Sequence, residues 1–182
     1  MSPLHHREPG LAGLISLPEF SNPRPPFYSI LGDGIHLHQT VATMLWRAAP
    51  HRAILISDSI ELAGLPDGIY PGNAQIPHTQ VKCGARATIQ GTDTLIGACC
   101  TVADAVRNLI MWSGCGVAEA VRCVSENVVA MMGMEDQFGT LKEGRRADFV
   151  VLEEDGSVRE TWMGGRRMWS RSEGFQNWSP HD

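Results

Sequence analysis

Residues 27–56 read strand, helix, strand, and that order narrows the possible folds more than any other feature of the sequence. Phe27-Tyr28-Ser29-Ile30-Leu31 is a short apolar and aromatic run ended by Gly32-Asp33-Gly34, the pattern of a buried strand entering a tight turn. Residues 38–49 place Val41, Met44, Leu45 and Ala48 at the i, i+3, i+4, i+7 spacing of a helix, which Pro50 ends. Ala53-Ile54-Leu55-Ile56 is apolar without alternation, as in a strand covered on both faces. A strand, a helix and a second such strand form a βα unit of a parallel sheet, so the chain is expected to be α/β.

Downstream, Gly and Pro recur across residues 62–97 among short β-like pieces (80–83 and 87–89), which predicts a hairpin-bearing excursion. Thr101 and Asp104 are spaced as a capping box, followed by an apolar stripe of Val102, Ala105, Val106, Leu109 and Ile110. A further helix is expected over residues 117–132. The tail then changes character. Gly139-Thr140-Leu141-Lys142-Glu143-Gly144 is a link, and residues 147–152, 158–163 and 167–169 predict a small antiparallel β unit. The expected organisation is an α/β part over residues 1–138, a small β segment over 139–170 and a disordered tail over 171–182.

Composition excludes several classes. The net charge of -5 implies no general affinity for polyanions. The pairs Arg145-Arg146 and Arg166-Arg167, each beside Gly and before apolar residues, read as solvated turns and not as a nucleic-acid patch. No apolar run approaches the roughly 20 residues that span a bilayer. Five cysteines without a CxxC spacing, behind a polar first ten residues, predict a reduced, cytoplasmic protein.

Asp58 is the most informative single residue. It follows the second strand, at the carboxyl end where parallel α/β folds place their chemistry, and a carboxylate there can accept and return a proton. The other reading is a turn cap. His36 follows the first strand in the same way, although a lone histidine is more often a packing residue. Arg7, in His6-Arg7-Glu8-Pro9-Gly10, can clamp an anion with its planar fork or pair with Glu8. His5-His6 suggests metal, but adjacent side chains rarely aim at one ion. Residues 91–98 precede a helix and offer either backbone N–H donors or a plain loop.

Taken together, His6-Arg7-Glu8-Pro9-Gly10-Leu11-Ala12-Gly13, Asp33-Gly34-Ile35-His36, Leu55-Ile56-Ser57-Asp58-Ser59, Thr94-Leu95-Ile96-Gly97 and the closing segment 139–152 resemble the N-acetylglucosamine-6-phosphate deacetylases of the amidohydrolase superfamily, over roughly residues 1–170. The Arg-Glu-Pro-Gly loop with Asp-Gly-x-His is the specific part; the closing motif is shared widely among amidohydrolases.

The resemblance implies the C-terminal part of a (β/α)8 TIM barrel followed by a small antiparallel β segment. It implies hydrolysis of the N-acetyl group of N-acetylglucosamine 6-phosphate, with Asp58 catalytic. Arg7, Asp33, Gly34, Ile35 and His36 would bind substrate, and Leu95, Ile96 and Gly97 would form a later substrate loop. A homodimer is implied, as is a divalent metal, commonly zinc. The family's metal ligands lie on earlier strands, and no residue here matches one. The family commonly has Leu-Ser-Gly-Ser where this sequence has Leu95-Ile96-Gly97-Ala98. The rival expectations are another metal-dependent amidohydrolase and a catalytically inactive sugar-phosphate-binding remnant. At 182 residues the chain is short for a whole barrel, which takes about 250.

Overall fold

The computed structural model describes residues 5–19 and 25–175. The parallel pair expected from the sequence is present. β1 (Tyr28–Leu31) and β2 (Ala53–Ile56) pair in register, Tyr28 with Ala53 through Leu31 with Ile56. Between them runs α1 (Gln39–Ala48), capped by His38, whose side chain accepts from Thr40 N–H. Tyr28 ties the helix end to the sheet, because its hydroxyl donates to the carbonyls of Leu45 (2.7 Å) and Ala49 (3.0 Å). Burial of that phenol pushes its pKa up to about 12.

Residues 62–97 form more sheet than expected. β3 (Gly68–Tyr70), β4 (Gln80–Cys83), β5 (Arg86–Ile89) and β6 (Leu95–Ala98) make an antiparallel meander in sequence order. α2 (Val102–Ser113) begins with the expected Thr101–Asp104 capping box and ends at Gly114 in the left-handed region. Ala105, Val106 and Leu109 of its stripe are buried against Ile30, Ala53 and Leu55, while Val102 is 44% exposed. Thr101→Ala removes an acceptor for the Asp104 N–H, so it is expected to lower stability by about 1 kcal/mol, read from the urea midpoint.

The single helix expected over 117–132 is two helices, α3 (Val117–Arg122) and α4 (Glu126–Met132). The break lets the chain serve β2. The N–H groups of Tyr28 and Gly32 donate to Arg52 and Ile56, so alternation turns Ala53 and Leu55 toward the opposite edge. There Leu55 N–H donates to the Cys123 carbonyl (3.0 Å), and the Ala53 carbonyl accepts from Asn127 Nδ2 (2.7 Å), which also donates to Pro50 (2.8 Å). Cys123 C=O therefore completes a sheet edge, and Ser125, at φ -133° and ψ -87°, breaks the helical path.

The last sheet contains β7 (Phe149–Leu152), β8 (Val158–Met163), β9 (Arg166–Ser170) and β10 (Gly174–Phe175), in the order β10-β9-β8-β7. β10 corrects the expectation of a disordered tail from residue 171. Ser170 Oγ accepts from Glu173 N–H, and Gly174, at φ +73°, turns the chain back onto β9. The remainder of that expectation, residues 176–182, lies outside the described residues. The basic pairs serve structure: Arg146 pairs with Asp148, and Arg167 with Glu160 and Glu173. Gly156, at φ +82°, seats a turn of this sheet on α2, where a Cβ would come within 3.0 Å of Ile110 Cδ1. Among the described residues no helix is long and apolar enough to cross a membrane.

Candidate active site

The site grows from the carboxyl ends of the parallel pair. Asp33 and Asp58 each stand two residues beyond the last paired positions, Leu31 and Ile56, so both strand ends open onto one side of the sheet. The register is held beyond the strands by Gly32 N–H, which donates to the Ile56 carbonyl.

Gly32 is required by packing: a Cβ there would lie 2.5 Å from the Cβ of Ala105. On the same face of α2, Asn108 Nδ2 donates to the Gly32 carbonyl at 2.8 Å. Asn108 lies among the residues of the predicted helix stripe, and the sequence assigns it no role. Its position three residues after the buried Ala105, a polar amide beside an apolar stripe, was the available signal.

Asp33 organises the next turn. Its Oδ1 accepts from the backbone N–H groups of Ile35 (2.8 Å) and His36 (3.0 Å), and its Oδ2 lies 2.6 Å from His36 Nδ1. The Asp33 side chain is 0% exposed, whereas that of His36 is 28% exposed. Burial raises the Asp33 pKa, but hydrogen bonds from the His36 ring and the two N–H groups outweigh it and hold the carboxyl below its ordinary value. Gly34 takes φ +70° in this turn, with the Trp112 ring beside it.

Asp58 is in a different state. It is exposed, and among the described residues its carboxylate takes part in no hydrogen bond. Its φ is 46°, the single left-handed value among described non-glycine residues. Such backbone conformations cluster at functional sites, and Asp is among the few non-glycine residues that tolerate them. Ser59 Oγ donates to the Cys100 carbonyl and Ile60 N–H to the Ala98 carbonyl, which anchor the chain immediately after Asp58.

Leu95, Ile96 and Gly97 lie in β6, which corrects the expected loop. Leu95 pairs with Thr88 and Gly97 with Ala87, and a bulge leaves Ile96 as the extra residue. Gly97 packs on Ile60, where a Cβ would meet Ile60 Cγ2 at 2.4 Å, so this strand lines up behind the Asp58 segment. Arg7 lies on the exposed stretch before the 3-10 helix Gly10–Ser16, and its backbone N–H makes a local bond to His5 Nδ1 (3.3 Å). The structure thus brings Asp33, Gly34, Ile35 and His36 into one turn past the end of β1, and sets Asp58 past the end of its neighbour β2. Leu95, Ile96 and Gly97 follow on β6, and Arg7 belongs to a separate exposed segment.

A divalent cation does not fit these residues alone. The Asp33 carboxylate is committed to its own turn, and among the described residues no group of three His, Cys, Asp or Glu side chains is placed to hold a metal ion.

Comparison with known proteins gives this geometry a context. An N-acetylglucosamine-6-phosphate deacetylase of Danio rerio is 34% identical over 94% of this chain and 42% of its own length. An Escherichia coli K12 protein, provisionally named an N-acetylgalactosamine-6-phosphate deacetylase, is 32% identical over 91% of this chain and 94% of its own length. The crystal structure of N-acetylglucosamine-6-phosphate deacetylase from Thermotoga maritima superposes with a TM-score of 0.74 at 28% identity, covering 93% of this chain and 44% of that one. The chain spans about two-fifths of the length of the first curated relatives it matches. The model of the amidohydrolase family matches residues 28–168. The chain belongs to the amidohydrolase family and resembles part of its N-acetylglucosamine-6-phosphate deacetylases.

Proposed function

We propose that this chain is the C-terminal portion of an enzyme that hydrolyses the acetamide of N-acetylglucosamine 6-phosphate to glucosamine 6-phosphate and acetate. β1 and β2 are then neighbouring strands of a (β/α)8 barrel, and β7–β10 belong to its small β domain. The observation that carries this reading is the placement of the Asp33–His36 pair and of Asp58, at positive φ and unpaired among the described residues, past the ends of two parallel strands. The names of the relatives supply the substrate class.

In this reading Asp58 takes a proton from the attacking water and returns it to the leaving nitrogen as the amide C–N bond breaks. His36 presents its ring to the sugar phosphate, with the Arg7 guanidinium as a cationic group and the Gly34–Ile35 backbone beside it. Leu95, Ile96 and Gly97 back the Asp58 segment. A divalent cation, zinc in this proposal, would supply an acidified water and a polarised carbonyl when bound, held by ligands other than a cluster of the residues described here. A homodimer accompanies the reading, and the enzyme acts in the cytoplasm.

The test is acetate release from N-acetylglucosamine 6-phosphate and from its galacto epimer. The chain is assayed alone, with zinc, and mixed with zinc and the separately expressed N-terminal portion of a longer relative. Turnover is expected in the associated mixture and not in the chain alone. An associated mixture that releases no acetate from either sugar overturns the proposal.

A further inference from the structure

Asp33 was expected to bind substrate, yet no part of its side chain is exposed. Three of the roughly four acceptor positions of a carboxylate are filled by Ile35 N–H, His36 N–H and His36 Nδ1. We infer that Asp33 is a positioning residue, which fixes the plane and tautomer of the His36 ring so that Nδ1–H turns inward and Nε2 is presented to a phosphate-monoester oxygen.

The chemistry follows from donors and acceptors. An ionised carboxylate only accepts, so the nitrogen 2.6 Å from Asp33 Oδ2 carries the hydrogen, and the neutral ring is the Nδ1–H tautomer. An ionised phosphate-monoester oxygen also only accepts. In the complex Nε2 therefore carries a proton as well, and the buried Asp33 carboxylate stabilises the resulting imidazolium. The turn gives this arrangement stiffness: the same carboxylate that orients the ring also holds the backbone N–H of His36, so ring and main chain are fixed together. The inference rests on the proposed contact between His36 and the substrate phosphate.

Asp33→Asn is the informative variant. Its carboxamide oxygen still accepts from Ile35 and His36 N–H, but its NH2 group replaces Oδ2 and donates to Nδ1. The neutral ring is then expected to invert to the Nε2–H tautomer. Nitrogen-15 spectra of the histidine-labelled chain read this directly, with His36→Gln identifying the resonances. Glucosamine 6-phosphate, titrated by calorimetry, is expected to bind about tenfold more weakly to Asp33→Asn, which loses the charge that supports the imidazolium.

An Nε2–H tautomer in the unsubstituted chain, or the same tautomer in both chains, overturns the positioning role. An inverted tautomer with glucosamine 6-phosphate bound by Asp33→Asn and by His36→Gln as tightly as by the unsubstituted chain supports that role and overturns the substrate contact proposed for His36. Should Asp33→Asn fail to fold by circular dichroism, the tautomer of the unsubstituted chain and the protonation of its Nε2 on adding ligand decide the matter.

Discussion

Asn at position 58 is expected to lower acetate release by about 10²–10⁴-fold while leaving the chain folded. The reason for choosing Asn lies in the backbone. Asp58 holds φ at 46°, a region that Asp and Asn tolerate and most other residues enter at a cost of roughly 1–2 kcal/mol. Asp58→Asn keeps the shape and the backbone preference and removes only the capacity to take up a proton. Asp58→Ala would mix that loss with strain. The measurement is kcat in the complemented assay beside the urea midpoint of each chain. A kcat within a few-fold of the unsubstituted protein would remove Asp58 from the proton path.

Asn127→Leu carries the largest expected cost to stability, about 2–4 kcal/mol. Asn127 is buried, and its single amide group donates to the carbonyls of both Pro50 and Ala53. Leucine fills a similar volume and donates nothing, leaving two acceptors without these partners at about 1–3 kcal/mol each, less whatever water reaches the Pro50 side. The substitution also frees the Ala53 carbonyl on the outer edge of β2, leaving the Leu55–Cys123 bond to cover that edge. The result is read as a lower urea midpoint with an unchanged slope. An unchanged midpoint would mean that the edge is held by the Leu55–Cys123 bond alone.

Much of the architecture was legible because it depends on local pattern. The apolar runs at 27–31 and 53–56, the helical spacing from Val41 to Ala48 and the Thr101–Asp104 cap each record a preference of neighbouring residues, and the structure forms each one. The failures share a different cause. The break after Arg122 serves Leu55, a residue far away in sequence, and nothing within 117–132 announces that debt to β2. Likewise β6 and β10 exist through their partners: Leu95–Ala98 reads as a loop until Arg86–Ile89 lies beside it, and Gly174–Phe175 as a loose end until β9 does.

The candidate site divides in the same way. Asp58 and His36 could be located because strand ends are visible in the sequence. That Asp33 is shut away from solvent, and that Asn108 holds the Gly32 carbonyl, are facts of packing. The strain at Asp58 has no counterpart in composition either, since Asp is at home in many turns.

The seat of Gly156 on α2 bears on how the molecule comes apart. Within the strands of the last sheet Ser170 alone is buried, and even the stacked rings of Phe149 and Trp162 are half covered. Such a sheet has little interior of its own, and at this point its grip on α2 is a bare stretch of main chain. That seam is expected to open early: the sheet lifts away and its amides exchange with solvent before those of the parallel pair and its helices, which hydrogen exchange would read.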